Sequence, residues 1–332
     1  MTEIRTVRAS GPADLLALVP GLLGFHPEDS VVVVTVGDAT HRFHARVDLP
    51  TEPAGIEELA TYLVEVASRH GVRALAVVVY TEDAALADLL LDGVAARLRT
   101  ARIELVCAVR ADGRRWWRLG GPGAARHPGT AYDVSSHPLM AETVMEGTVV
   151  LGSRQELADS LVGTDVADRD LVGRLADEAL TRLARAARDH LVHEGRWVSD
   201  RVRRFVGPSA DDPQPVDAGD VARLAALLTH SLEVRDVAWA EVTHETAARH
   251  VDLWRDVVRR TPPHLRAAPA ALLGFAAWLS GNGALAWCAV DVAEDASPGY
   301  GLAGLIAEAL ACAVPPSAWR PFPRESLTLF AG

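Results

Sequence analysis

The chain has 332 residues, of which 49% are hydrophobic and 23% charged, with a formal net charge of −11. Such a length favours two domains with separate cores, and the composition is that of a folded chain. The acidic balance argues against broad binding to nucleic acid or to an anionic membrane surface, and no apolar run approaches the roughly 20 residues of a membrane span.

Arginine supplies every fixed positive side-chain charge, because the sequence contains no lysine. That excludes a Schiff-base lysine, a phosphate-loop lysine and a lysine general base. Cys107, Cys288 and Cys312 lack C-x-x-C spacing and sit among apolar residues, so they are expected to be reduced core thiols. The opening "MTEIRTVRASGPADLL" has no basic segment followed by an apolar one. A cytoplasmic protein without an export signal is expected.

The elements follow in chain order. Ser10 is expected to cap a short helix from Pro12 to Val19, and "GFHPEDS" turns the chain into "SVVVVTV", a buried strand. After the turn "GDAT", the stretch "HRFHARVDL" alternates Phe43, Ala45 and Val47 with polar residues, which predicts a half-buried strand hairpinned to the first. Ile56, Leu59, Ala60, Leu63, Val64 and Ala67 mark one face of a helix that Gly71 ends. "RALAVVVY" is a strand. Ala87, Leu90, Leu91, Val94, Ala95 and Leu98 mark a second helix, and "RIELVCAV" a further strand. Alternation of this kind implies parallel pairing. "RRWWRL" reads as an added antiparallel strand, on which Trp116 and Trp117 face opposite ways.

The irregular stretch 120–137 leads to a helix with Pro138 in its first turn, capped by Ser135 or Ser136. "TVVL" is a short strand, and "SRQE" is a capping box opening the next helix. Beyond Leu161 the strand signals stop. Leu171, Leu175, Ala179, Leu183, Ala187 and Leu191 predict one long helix, and residues 207–220 form a proline-rich linker or surface loop. The fold expected is therefore an α/β domain over 1–161, with a mixed, mainly parallel sheet and an antiparallel hairpin, followed by an all-α region over 162–332.

Near the C-terminus, Gly299, Gly301 and Gly304 have the G-x-G-x-x-G spacing of a dinucleotide cradle. That cradle must follow a strand, whereas Leu285, Ala286, Ala289, Val290 and Ala293 predict a helix just before it. Counting back from Pro298, Ala293, Val290, Ala286, Gly281 and Gly274 match the spacing of tetratricopeptide-like helical pairs, with an ordinary helical bundle as the alternative. Gly274 and Ala286 would let two helices touch, and Gly281 would turn the chain between them. No cofactor is expected.

Three polar groups are candidate ligand-binding sites. The first is His26, Glu28 and Asp29, beside Ser30, able to act as acid, base or metal ligand. A turn made by Pro27 explains the same residues, and the group precedes its strand, whereas α/β sheets bind ligands beyond the carboxyl ends of parallel strands. The second, Tyr80 and Asp83, lies just after a strand, at that favoured end, although Asp83 also suits a helix cap. The third is Tyr132, Asp133, Ser136 and His137, where a loop and helix cap compete with a site; no G-x-S-x-G elbow surrounds Ser136. His190 and His193 have the spacing of a metal pair but no further ligands nearby, so no metal is expected. "DRVRRF" reads as a solvated helix face, not a nucleic-acid contact.

"LLGFHPEDSVVVV", "GTAYDVSSHPLMAETV" and "LLGFAAWLSGNGALAWCAVDVAEDASPGYGLAGLIAEAL" together resemble an actinobacterial family described as a domain of unknown function, number four-one-nine-two. The likeness spans nearly the whole chain and carries no catalytic residues with it. Two functions are open at this point. One is an interaction or regulatory protein whose helical region holds a protein partner or a second copy. The other is a hydrolase or small-ligand-binding enzyme with a site at the edge of the sheet.

Overall fold

The computed structural model describes residues 10–37, 44–120, 127–145, 149–185, 187–207, 216–321 and 323–330. The first nine residues, the turn at 38–40, the start of the second strand including Phe43, part of the 120–137 stretch, Thr148 and most of the 207–220 loop lie outside the described residues. The chain divides into two compact units, Thr2–Arg154 and Gln155–Gly332.

In the first unit, β1 (Ser30–Thr35), β2 (His44–Asp48), β3 (Ala74–Tyr80), β4 (Glu104–Ala111), β5 (Arg115–Arg118) and β6 (Thr130–Ala131) form one mixed sheet. Its order is β2-β1-β3-β4-β5-β6. The β1–β2 hairpin is antiparallel, as the sequence predicts, and β5 adds antiparallel to β4. The expectation of a mainly parallel sheet is corrected, because only β3–β4 is parallel among the described pairs. β1 inserts between β2 and β3, antiparallel to both. The helix α2 (Pro53–Arg69) thus joins strands that run the same way but are not neighbours. The helix α3 (Ala84–Ala101) joins the parallel neighbours β3 and β4.

One face of the sheet, Val31, Val33, Leu75, Val77 and Val79, shares a core with the apolar stripes of α2 and α3. On the other face Val32, Val78 and Val109 are also fully buried, and Arg46 lies over the ring of Phe25. Burial on both sides is why β1 and β3 read as continuous apolar runs instead of alternating. Each such valine contributes roughly 1.5–3 kcal/mol when fully buried.

Several boundaries depart from the sequence expectation. The helix α1 runs Pro12–Leu23, past Pro20, and ends where Gly24 takes φ 80. Its cap is not Ser10: the N-cap position is Gly11, and the Ser10 backbone N–H donates to Asp14 at 2.6 Å. The helix α4 (Pro138–Met145) is capped by neither Ser135 nor Ser136. Nδ1 of His137 accepts from the Leu139 N–H at 3.3 Å, while Ser135 donates to Asp133. Of "TVVL", Leu151 makes a single parallel bridge with Phe25.

The second unit is helical: α5 (Arg154–Asp159), α6 (Val166–Leu183), α7 (Arg188–Val206), α8 (Ala218–His230), α9 (Leu232–Ala240), α10 (Ala247–Arg260), α11 (Ala267–Leu279), α12 (Gly283–Ala296) and α13 (Gly301–Ala311). The single long helix expected over Leu171–Leu191 is two helices, with Ala187 as the N-cap of the second. The buried stripe of α6 is Val172, Ala176, Ala179 and Leu183, whereas Leu171 is exposed. At the centre lies α11, all of whose residues are buried; a helix apolar all round must be enclosed by others. It packs against α8, α10, α12 and α13.

A helix, α12, and not a strand precedes Gly299, Gly301 and Gly304. Gly299 takes φ 76 in a turn joining α12 to α13, with its N–H on Glu294 at 2.8 Å. Gly274 lies where α11 meets α12, but a Cβ there would sit 3.4 Å from the Ala286 carbonyl oxygen, an ordinary contact, so the helices' approach does not depend on glycine at this position. Gly281, at φ 86, makes the turn between them. Cys288 is buried, whereas Cys312, expected in the core, is exposed at the end of α13.

Candidate functional site

The registers of the five strand pairs line up one row across the sheet: Asp48, Ser30, Tyr80, Ala111, Trp116 and Thr130. Cross-strand partners share a face. Because β1 is antiparallel to β3, the start of β1 lies beside the carboxyl ends of β3 and β4. The objection that "GFHPEDS" sits at the wrong end of the sheet therefore falls. His26, Glu28 and Asp29 lead into Ser30 at the same end as Tyr80, and Tyr132 follows Thr130 by two residues.

Two polar groups at the middle of this row are buried, whereas Asp48 and Thr130 at its ends are exposed. Ser30 is 0% and Tyr80 6% exposed, and neither hydroxyl has a hydrogen-bond partner among the described residues. Arg46 pairs with Asp48 at 2.6 Å and donates to the Glu28 carbonyl at 3.4 Å, while its Nε is likewise unpartnered. Burial, and then the neighbouring Tyr132 phenol, push the Tyr80 pKa far up. Burial and the Asp112 carboxylate raise that of Tyr132. Both phenols are therefore neutral donors at physiological pH. For Asp112 burial acts upward, but backbone N–H groups of Arg115 and Arg114 and the charge of Arg110 hold its pKa below the usual carboxylate value.

Arg110 and Trp117 brace this end from the opposite face. The Arg110 guanidinium lies 3.7 Å above the Trp117 ring and donates to the carbonyls of Thr81 and Glu82. Trp117 in turn donates to His127 and packs so tightly on Gly129 that a Cβ there would sit 2.6 Å from the ring. Sequence reasoning missed Arg110 and Arg46. The one available signal, for Arg110, was an arginine at the end of the apolar run "LVCAV".

The remaining predicted residues do not converge on the row. Asp83 is exposed and caps α3, accepting from the Ala85 and Leu86 N–H groups at 2.9 and 3.0 Å. Asp133 accepts from both the N–H and the hydroxyl of Ser135, which lowers its pKa, and Ser136 donates to the Asp133 carbonyl. His137 Nε2 pairs with Asp14 at 3.1 Å, not with a serine. Asp29 holds φ 39 in the turn, where its carbonyl accepts from Leu49, and the His26 N–H donates to Leu151. In the helical unit His190 pairs with Glu194, and the described residues contain no cluster of three potential metal ligands. Arg201 and Arg203 pair with Asp220 and Glu241. Among the described residues no helix is long and apolar enough to cross a membrane.

An α/β domain with two buried hydroxyls side by side at one end of its sheet, joined in one chain to an all-helical unit, is the class of protein that these features define. The family described as a domain of unknown function, DUF4192, matches residues 12–317, and the chain belongs to that family. No curated protein and no solved structure matches it.

Proposed function

We propose that this chain is a small-molecule-binding regulatory protein whose α/β domain holds an uncharged, polar ligand at the Ser30 end of the sheet. The observation that supports this reading is the pair of buried hydroxyls, Ser30 and Tyr80, facing each other across β1 and β3 without partners among the described residues. A buried polar group left unpaired costs about 1–3 kcal/mol, so two side by side are a reason to look for a missing partner. The partner supplies hydrogen-bond acceptors, because Tyr80 and Tyr132 are held protonated. Hydroxyl- or carbonyl-rich small molecules have that chemistry.

Affinity-selection mass spectrometry of the full chain against a mixture of polyols, nucleosides and amides tests the reading. At least one compound is expected to be retained, about tenfold more weakly by Tyr80→Phe and by Ser30→Ala. Retention of no compound, or equal retention by both variants, would sink it.

A second reading is an interaction module of tetratricopeptide-like helix pairs that binds a second copy. Its support is the outward side of α13, where Gly301, Gly304 and Leu305 are exposed. Sedimentation showing only monomer at high micromolar concentration would remove it.

A further inference from the structure

The helices α6, α7 and α8 line an open cleft of about 540 Å³, within the size range of small-ligand sites. Its apolar wall includes Leu175, Leu183 and Leu227. Set into that wall is Glu194, whose side chain is only 8% exposed. A carboxylate so deeply placed needs strong partners, and it has two. Glu194 accepts from Nε of Arg223 at 3.0 Å and lies 2.8 Å from its second guanidinium nitrogen, while His190 stands 3.3 Å from the other oxygen.

Arg223 is consequently held on two sides. Glu194 fixes one edge of the guanidinium, and the ring of Trp197 lies 4.0 Å from its flat face. The remaining nitrogen, NH1, has no partner among the described residues and belongs to a residue that lines the cavity. Arg182, in the last turn of α6, lines the same cavity and has no ion-pair partner among the described residues. Among the lining residues two guanidiniums thus stand against one carboxylate, and Asp220, the other carboxylate near Arg223, is paired with Arg201, so an excess positive charge remains even when His190 is neutral. A planar guanidinium held rigid by an edge contact and a ring is prepared for a carboxylate or phosphate before any ligand arrives.

We propose that this cavity binds a small organic anion, a carboxylate or phosphate carried on a short apolar body. Arg223 and Arg182 contact the anionic group, the leucine wall covers the apolar body, and Glu194 is a positioning residue that aims Arg223. The site is separate from the hydroxyl row of the sheet, so either can fail without the other.

The test titrates the full chain with four probes of one length: hexanoate, hexyl phosphate, hexanol and hexylamine. Binding is followed by calorimetry and by the rise in melting temperature. Hexanoate or hexyl phosphate is expected to saturate a single site, and the tighter of the two identifies the anionic group. Hexanol and hexylamine bind at least about tenfold more weakly. Arg223→Gln and the surface-tolerated Arg182→Ala each weaken the anion by about tenfold. Ala179→Leu, which fills the cavity without touching a charge, abolishes binding while the chain stays folded; it keeps the test sound if Arg223→Gln misfolds. Saturation by neither anion, hexanol as tight as hexanoate, or undiminished binding by Arg182→Ala and Ala179→Leu would each overturn the assignment.

Discussion

Replacing Arg110 by leucine is expected to destabilise the α/β domain by about 3 kcal/mol. Arg110 is 8% exposed and its guanidinium serves two carbonyls, those of Thr81 and Glu82, at 3.2 and 3.1 Å. Hydrogen bonds to a charged donor contribute about 1.5–3 kcal/mol, and the stack on Trp117 adds about 1 kcal/mol. Leucine supplies neither and leaves the Thr81 carbonyl buried without its donor. Lysine keeps a charge but loses the flat face, so Arg110→Lys falls between the two. Hydrogen exchange of the full chain reads the result locally. The amides of Ala85 and Leu86, bonded to Asp83, exchange faster in Arg110→Leu, because the segment that carries their cap is no longer anchored. Unchanged exchange there would mean that the loop is held by other contacts.

The helical unit is expected to lose stability as pH falls from about 7 to 4, through one residue, His250. It is fully buried on α10, with Nε2 on the Glu241 carbonyl at 3.1 Å and Nδ1 unpartnered among the described residues. Burial lowers its pKa from 6.5 to about 4, against a smaller upward effect of the bond to Glu241. Below 6.5 the unfolded chain takes up a proton that the folded one refuses, so stability rises with pH across this window. The loss is complete once the pH drops below the folded pKa and amounts to about 3 kcal/mol. His250→Gln cannot titrate, so its urea midpoint changes less between pH 7 and 4.5 than that of the natural chain. Equal slopes for the two chains would assign the acid sensitivity elsewhere.

What could be read from residues alone follows from how local each signal is. The runs "SVVVV" and "ALAVVVY" declare themselves as strands because burial on both faces permits only apolar side chains, and the stripes of α2 and α3 are a property of one helix each. Strand order is not local. Nothing in "SVVVV" reveals that β1 lies between β2 and β3, and that insertion is what turns a seemingly parallel sheet into a mostly antiparallel one. The same fact hid the candidate site, since whether His26 to Ser30 lie beside the carboxyl ends of β3 and β4 depends on the direction of β1. Short polar residues misled in another way. Ser10, Ser135 and Ser136 all have the chemistry of a cap, and a neighbour at the right position, Gly11 or His137, took the place instead. In α6 either Leu171 and Leu175 or Val172 and Ala176 could lead into the shared positions Ala179 and Leu183, and only packing chose the second pair. The cluster of Glu194 and Arg223 joins residues from two helices, so no spacing in the sequence announces it.

The hydroxyl row carries the functional account, and the urea midpoint of Tyr80→Phe tests it most directly, with unfolding read from amide exchange in β1 and β3. If the phenolic oxygen waits for a ligand, its removal leaves the unliganded domain as stable as before, or more stable by up to about 1 kcal/mol. A loss of about 1–2 kcal/mol would contradict the account, for it would show that the hydroxyl already has its partner in the folded chain.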